Sequence, residues 1–261
     1  MHKYEYKNYS RAHGRVFKRS FKVNGESMPI YISPDALLKY MKMGKNAFDS
    51  DLIQIAEKML HKNAVVWDVG ANVGVFTFAA AAVAREGVVV SIEADIWLAG
   101  LLRRTRRLEP YISSDIRIVP VAVSEACGVA GFNVATRGRA SNSLDCVDPR
   151  SQQGGVREKN YVPTITLDTL ALTMPKPDFI KIDVEGAEGL VVKGGLSVIR
   201  DVRPVIYIEL GAGSEEIYKY FVDAGYVCKA FGGGDPVKDR LTNVFFVPKE
   251  NEVMLSRVES L

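Results

Sequence analysis

Cysteine is scarce in this chain: Cys127, Cys146 and Cys228 are odd in number, far apart and in no Cys-x-x-Cys spacing. That excludes a disulfide framework and a zinc-binding pattern, and makes a reduced, cytoplasmic setting the expectation. Long apolar runs are missing too. The longest, 75–84, is about half of the ~20 residues that a membrane-spanning helix needs. The opening MHKYEYKNYSR has no apolar core and does not read as a secretory signal. Lys and Arg number 34 against 31 Asp and Glu, and this net charge of +3 falls short of the basic field of a dedicated nucleic-acid binder. Internal repeats are absent.

What is present is an ordinary globular balance, 47% apolar and 25% charged residues, enough for a sizeable core. Residues 1–60 read as an N-terminal extension and 61–261 as one catalytic-sized domain. The extension begins with Lys3, Lys7, Arg11, Arg15, Lys18, Arg19 and Lys22 against Glu5, with Tyr4, Tyr6, Tyr9 and Phe17 between them. Such an arm either grips a phosphate-bearing partner or is a solvated terminus, and the second is expected. PIYIS (29–33) reads as a short strand, and 34–43 and 48–60 as helices parted at Gly44.

From residue 64 strands and helices alternate. Apolar runs at 64–69, 88–92, 116–119, 178–182 and 204–210 are separated by helical patterns at 74–85, 95–109, 186–200 and 214–224. This argues for a parallel sheet covered on both faces. The last runs, 226–231 and 243–248, have a Gly232–Gly233–Gly234 and Asp235–Pro236 loop between them, so that end should be an antiparallel hairpin. Residues 127–166 break the alternation: two β-like runs, 129–135 and 161–167, flank a polar segment, which reads as a functional or mobile loop.

AVVWDVGANVG (64–74) is a buried strand that turns through glycine into a helix. Amides at such a helix start attract the anionic part of a ligand, although the same turn also serves plain tight packing. In the dinucleotide fingerprint G-x-G-x-x-G the middle glycine lets the backbone approach a pyrophosphate; here that place holds Asn72, which disfavours a nicotinamide or flavin cofactor. Glu93 ends the next strand, at the spacing of an acid that binds a ribose diol. Asp68, Glu93 and Asp183 would surround a cation and repel a pyrophosphate. S-adenosylmethionine, a ribose-bearing sulfonium without phosphate, fits this set.

A second signature, DFIKIDVEGAE (178–188), ends an apolar strand at Asp183 and opens a helix with acids in its first turn. Together with DVGANVG (68–74), Glu93, AVS (122–124), TLD (166–168), Gly194–Gly195 and PVIYIEL (204–210), it makes the chain resemble the FkbM-type S-adenosylmethionine-dependent methyltransferases from about Val65 to Val247. The resemblance implies an α/β, Rossmann-like class I fold: a seven-stranded, mostly parallel sheet in order 3-2-1-4-5-7-6, strand 7 antiparallel, with helices on both faces. It also implies methylation of a hydroxyl on a sugar or secondary metabolite, with cofactor contacts from Asp68, Gly70, Ala71, Asn72, Gly74, Glu93, Ala122 and Asp183. The chain departs from the family in having Ala94 after the ribose acid, and Asp95 reads as a helix N-cap.

An alcohol acceptor needs a base. His2, His13 and His61 all precede the cofactor turn, and His61 falls at the wrong end of the sheet, so Asp183 is the first candidate and Glu185 the second. Mg²⁺ held by Asp183 with Glu185 or Glu209 is an alternative, not the expectation, because strand-tip carboxylates are no dedicated cage. Glu209 ends a strand at the same crevice, either to meet the acceptor or to bond a nearby N–H. Ser141–Asn142–Ser143 either closes over the acceptor or belongs to a surface loop. Arg103, Arg104, Arg106 and Arg107 read as the solvated face of a helix. A nucleic-acid methyltransferase, a nicotinamide-dependent oxidoreductase and a non-catalytic binding module are the competing readings; oligomeric state is open.

Overall fold

The computed structural model describes residues 14–42, 47–147, 154–210, 214–234 and 242–261. The chain opens with a hairpin of β1 (Phe17–Val23) and β2 (Glu26–Ile32), joined at Asn24–Gly25, both at positive φ as a tight two-residue hairpin turn requires. The expected solvated arm is therefore a strand from Phe17 onward; Arg15 before it is exposed, and Lys3, Lys7 and Arg11 lie outside the described residues. The pattern Phe21, Val23 inward and Lys18, Ser20, Lys22 outward is strand alternation, which the density of positive charge hid.

The helix expected over 34–43 is, within the described residues, only a 3-10 turn at Leu38–Met41. Ser33 takes the amides of Ala36 and Leu37 on its carbonyl and that of Asp35 on its hydroxyl, which closes a turn instead of starting a helix. Helix α1 (Ser50–Met59) follows as expected, with Ile55, Ala56 and Met59 buried.

The central sheet contains β3 (Val65–Val69), β4 (Val88–Ile92), β5 (Asp115–Val119), β10 (Phe179–Ile182), β11 (Val205–Glu209), β12 (Tyr226–Ala230) and β13 (Asn243–Pro248), in the order β12-β13-β11-β10-β3-β4-β5. The first five run parallel; β13 is antiparallel to both β11 and β12, so the expected hairpin is present. Helices α2 (Val75–Val83) and α3 (Ile96–Arg106), together with α1 and the hairpin, cover one face. The other face is covered by α4 (Leu167–Leu170), α5 (Glu188–Lys193) and α6 (Glu215–Asp223). The single helix expected over 186–200 is α5 followed by a π-helical turn at Val198–Val202. The break falls at Gly194–Gly195, where a Cβ would stand 2.1 Å from the Ser124 carbonyl oxygen or 2.7 Å from the Leu167 side chain. A last helix, α7 (Glu252–Glu259), unforeseen in the sequence, is capped by Asn251, whose side chain accepts the Met254 amide.

The interval 127–166 is no structureless loop. Its described residues, with Ala122–Val123 just before them, form a second, four-stranded sheet of β6 (Ala122–Val123), β7 (Gly128–Ala135), β8 (Ser143–Leu144) and β9 (Val156–Ile165), in the order β6-β9-β7-β8. Phe132, Val134, Leu144 and Val162 make its apolar side with Ala122 and Ala187, beside the carboxyl edge of the main sheet. Among the described residues no helix is long and apolar enough to cross a membrane.

Candidate active site at the carboxyl edge of the sheet

β3 delivers the chain to a turn in which Gly70, Asn72 and Gly74 have φ of 77°, 54° and 94°. The amides of Gly70 and Ala71 both donate to the Ile92 carbonyl at 3.0 Å, which ties the turn to the end of β4. A Cβ on Gly70 would stand 1.9 Å from the Asp183 carbonyl oxygen, and one on Gly74 2.5 Å from the Leu102 side chain. Both glycines are thus required by positive φ and by the chain's own packing, whatever the ligand.

Glu93 is held at the mouth of this turn. Its Oε2 accepts the Asn72 amide at 2.7 Å and its Oε1 the Asp95 amide at 2.8 Å. Burial pushes its carboxyl up to about 7, against the pull of the two amides and of Lys181 and with a further push from Asp95. Glu93 lines a narrow cavity of about 80 Å³ with Gly70, Asn72, Ala122, Phe132 and Leu144. Three of these walls, Ala122, Phe132 and Leu144, come from the second sheet.

Asp95 is the N-cap of α3, accepting the amides of Trp97 and Leu98, as expected. Its other oxygen receives Arg139 Nη1 at 2.5 Å and Asn142 Nδ2 at 2.8 Å. Asn142 Oδ1 in turn accepts the Ala135 amide. Asn142, expected against the acceptor, instead has its amide spent on the protein and lines the Glu93 cavity; Ser141 lines a second cavity.

Asp68 also departs from expectation. It has no exposed surface and lines neither cavity; Oδ2 accepts the Thr77 hydroxyl at 2.6 Å and Oδ1 lies 3.2 Å from Lys181 Nζ. The Lys181 ammonium donates to the Gly70 carbonyl at 2.7 Å and lies 3.4 Å from Asp183 Oδ2. Burial pulls its pKa down, but the carboxylates of Asp68 and Asp183 outweigh this and raise it, so Lys181 stays charged. Lys181 was overlooked in the sequence. A lysine inside the buried strand FIKI is itself a signal, because a buried ammonium needs anionic partners.

Asp183 and Glu185 line both cavities, with Gly70, Asn72 and Ala140, so they stand at the boundary between them. Glu185 has φ of 46° and Gly186 98°; backbone this strained in a non-glycine residue clusters at functional sites. Glu188 is buried and accepts the Gly186 amide at 3.0 Å, a capping role away from the cavities. The second cavity, of about 320 Å³, also holds Glu209, Tyr207, Phe76, Tyr40 and Asn243. Among the described residues no three His, Cys, Asp or Glu side chains converge as a metal site. His61 is exposed in the turn before β3, at the opposite edge of the sheet. The Arg103, Arg104, Arg106 and Arg107 side chains are exposed on α3, with Arg104 over the Tyr31 ring at 4.0 Å.

No curated protein sequence matches the chain. Among solved structures it is similar to the methyltransferase FkbM from Methylobacillus flagellatus KT, at 16% identity and a TM-score of 0.50, over 72% of this chain and 44% of that one. It is similar also to the Thermus thermophilus 16S rRNA N2 G1207 methyltransferase RsmC (14% identity, TM-score 0.49, 90% and 51% covered). A third similar structure is the precorrin-6y C5,15-methyltransferase of Geobacter metallireducens GS-15 (13% identity, TM-score 0.43, 78% and 87% covered). At these identities the likeness concerns the fold, and the chain spans less than half the length of the M. flagellatus protein. The methyltransferase FkbM domain model, in contrast, matches the sequence over residues 68–228, more than half of the chain. The chain belongs to the FkbM methyltransferase family.

Proposed function

We propose that the chain is an S-adenosylmethionine-dependent O-methyltransferase that acts on a hydroxyl of a small molecule or sugar. The observation that carries the reading is Glu93: two backbone amides fix its carboxylate at the end of β4, and each oxygen keeps lone pairs for a ribose diol. Ala122, Phe132 and Leu144 supply apolar walls for an adenine beside it. Asp183 and Glu185 at the far end suit the positive sulfonium and would repel a pyrophosphate, which weighs against a nicotinamide cofactor. Counted within the central sheet alone, the strands run 3-2-1-4-5-7-6, the class I arrangement.

The cofactor, when bound, supplies a methyl group on positive sulfur, open to in-line displacement. The protein's task is then alignment and removal of the acceptor's proton. Asp183, facing both cavities, takes that proton, and Glu185 is the second carboxylate within reach. Lys181 holds Asp183 from behind and ties it to the Gly70 carbonyl of the cofactor turn. Asp183 with Glu209 could offer oxygen ligands to Mg²⁺, but Asp183 already faces the Lys181 cation, so no metal is expected.

S-adenosylhomocysteine, followed by calorimetry, tests the cofactor. Tight binding that Glu93→Ala weakens by about tenfold to a hundredfold, the worth of ~1.5–3 kcal/mol of charged hydrogen bonds, is expected. Asp183→Asn should keep that binding within a few fold while abolishing methyl transfer to a sugar or small-molecule panel. Unchanged transfer by Asp183→Asn would remove the base assignment.

A further inference from the structure

The second cavity has one wall that the FkbM domain does not provide. Leu37, Lys39, Tyr40, Asp49, Asp51 and Leu52 close it from the N-terminal side, whereas the family match begins at residue 68. From this wall Tyr40 reaches in. Tyr40 is only 4% exposed, its ring stacks on Phe48 at 5.9 Å, and its carbonyl is pinned by Arg19 at 2.6 Å. Tyr207 lines the same cavity, 5% exposed, in the middle of β11 with its ring packed on Phe245 at 4.9 Å.

Neither tyrosine hydroxyl has a hydrogen-bond partner among the described residues, yet both residues line the cavity. A phenylalanine would fill both packing sites equally well. Hydroxyls so deeply placed are satisfied only by what enters the cavity. Burial, reinforced by Asp49 and Asp183 at Tyr40 and by Asp183 and Asp51 at Tyr207, raises both phenols above their ordinary pKa, so both are hydrogen-bond donors.

The charge of the cavity narrows its occupant. Asp49, Asp51, Asp183, Glu185 and Glu209 line it, against Lys39 and Lys181 among the described residues. Lys39 is paired with Asp49, and Lys181 with Asp68 and Asp183. A phosphate or carboxylate entering there meets like charge, while a neutral hydroxyl can donate to Asp183 and accept from the two phenols. A volume of about 320 Å³ equals that of roughly ten waters at ~30 Å³ each, room for one pyranose ring.

We propose that Tyr40 and Tyr207 grip the methyl acceptor, that this acceptor is an uncharged polyhydroxylated ring of monosaccharide size, and that the N-terminal segment therefore sets acceptor choice. This rests on the methyltransferase reading above. The test is ligand-observed NMR and calorimetry on the full chain saturated with S-adenosylhomocysteine, against methyl glycosides of the common hexoses and deoxyhexoses, their 6-phosphates and the corresponding uronates. Neutral glycosides should bind at least tenfold tighter than the charged forms. Tyr40→Phe and Tyr207→Phe should each lower glycoside affinity about tenfold, the worth of one hydrogen bond, and leave S-adenosylhomocysteine affinity within twofold. A preference for phosphates or uronates, no glycoside binding by the cofactor-loaded protein, or Tyr→Phe variants that bind glycosides as well as the parent would each overturn the proposal. Failure of the parent to bind S-adenosylhomocysteine would instead overturn the methyltransferase reading, and this inference with it.

Discussion

Glu93 and Lys181 are two buried charges with opposite roles. Lys181 is surrounded by acceptors, the Gly70 carbonyl and the carboxylates of Asp68 and Asp183, so its charge is fixed and its work is positional. Glu93 is different, because burial brings its carboxyl to about 7, above the 4.5 it has in an open chain. The folded state then holds the proton more tightly than the unfolded one. Stability contributed by protonated Glu93 is present below pH 4.5 and declines as pH rises through about 7. On the proposed function ligand binding runs the other way, since ribose hydroxyls would donate to the ionised carboxylate. S-adenosylhomocysteine affinity should therefore climb by up to about tenfold per pH unit between pH 5.5 and 7, level off by pH 8, and release a proton. Calorimetry in buffers of different ionisation enthalpy measures this, and Glu93→Gln should flatten the profile.

Between elements, the ionic chain Arg157–Asp35–Arg139–Asp95 does the joining. Asp35 belongs to the N-terminal segment, Arg139 and Arg157 to the inserted-sheet interval, and Asp95 to the start of α3. Arg139 Nε lies 2.9 Å from Asp35 Oδ2, and Arg157 Nη1 lies 2.8 Å from Asp35 Oδ1. Burial raises the Asp35 pKa, but the two guanidinium groups outweigh it and leave it lowered. Arg139 also lies over the Trp97 ring at 4.9 Å. The same Asp95 whose amide holds Glu93 is thus anchored to the sheet that walls the Glu93 cavity. Arg139→Met should leave the buried Asp35 and Asp95 short of a partner, at a cost of about 3 kcal/mol in urea unfolding, with a several-fold loss of S-adenosylhomocysteine affinity. A stable variant with unchanged affinity would separate the inserted sheet from the cofactor site.

At the scale of the molecule, the N-terminal hairpin and α1 are part of the core. Met28, Ile30, Ile32, Ile55 and Met59 are at most 2% exposed and share one apolar cluster with α2, Phe179 and Phe245. At ~1.5–3 kcal/mol per fully buried large apolar side chain, the burial contributed by the hairpin and α1 is of the same order as the whole net stability of a typical domain. A chain of residues 61–261 alone should show no cooperative thermal transition by circular dichroism, where the full chain shows one. A well-folded 61–261 fragment would make the extension an ornament and weaken the assignment of Tyr40 to the acceptor.

Local pattern made much of this molecule legible in the sequence. The strands at 88–92 and 243–248 are legible to the residue and the other five of the central sheet to within one residue, because continuous apolar runs between turn signals mark buried strands; the runs 29–33 and 161–167 mark only parts of β2 and β9. The glycine turn, Glu93 after β4 and Asp183 after β10 followed from their places at strand ends. The hairpin at β1 escaped because basic residues on its outer face resembled a loose arm, and the inserted sheet because β7 and β9 pair across a long polar interval. Which way Asp68 turned, what neutralised Lys181 and which side chains Asn142 would bond were decided only when distant elements packed. So was the placing of Tyr40 and Tyr207 on one cavity. The sequence by itself determined the strands of the central sheet, the turns and which residues stand at their tips, since these depend on periodicity and backbone conformation over a few residues. Only the tertiary structure decided who faces whom across the cavities, because a buried charge or hydroxyl takes its partner from whatever the packed core brings within about 3 Å.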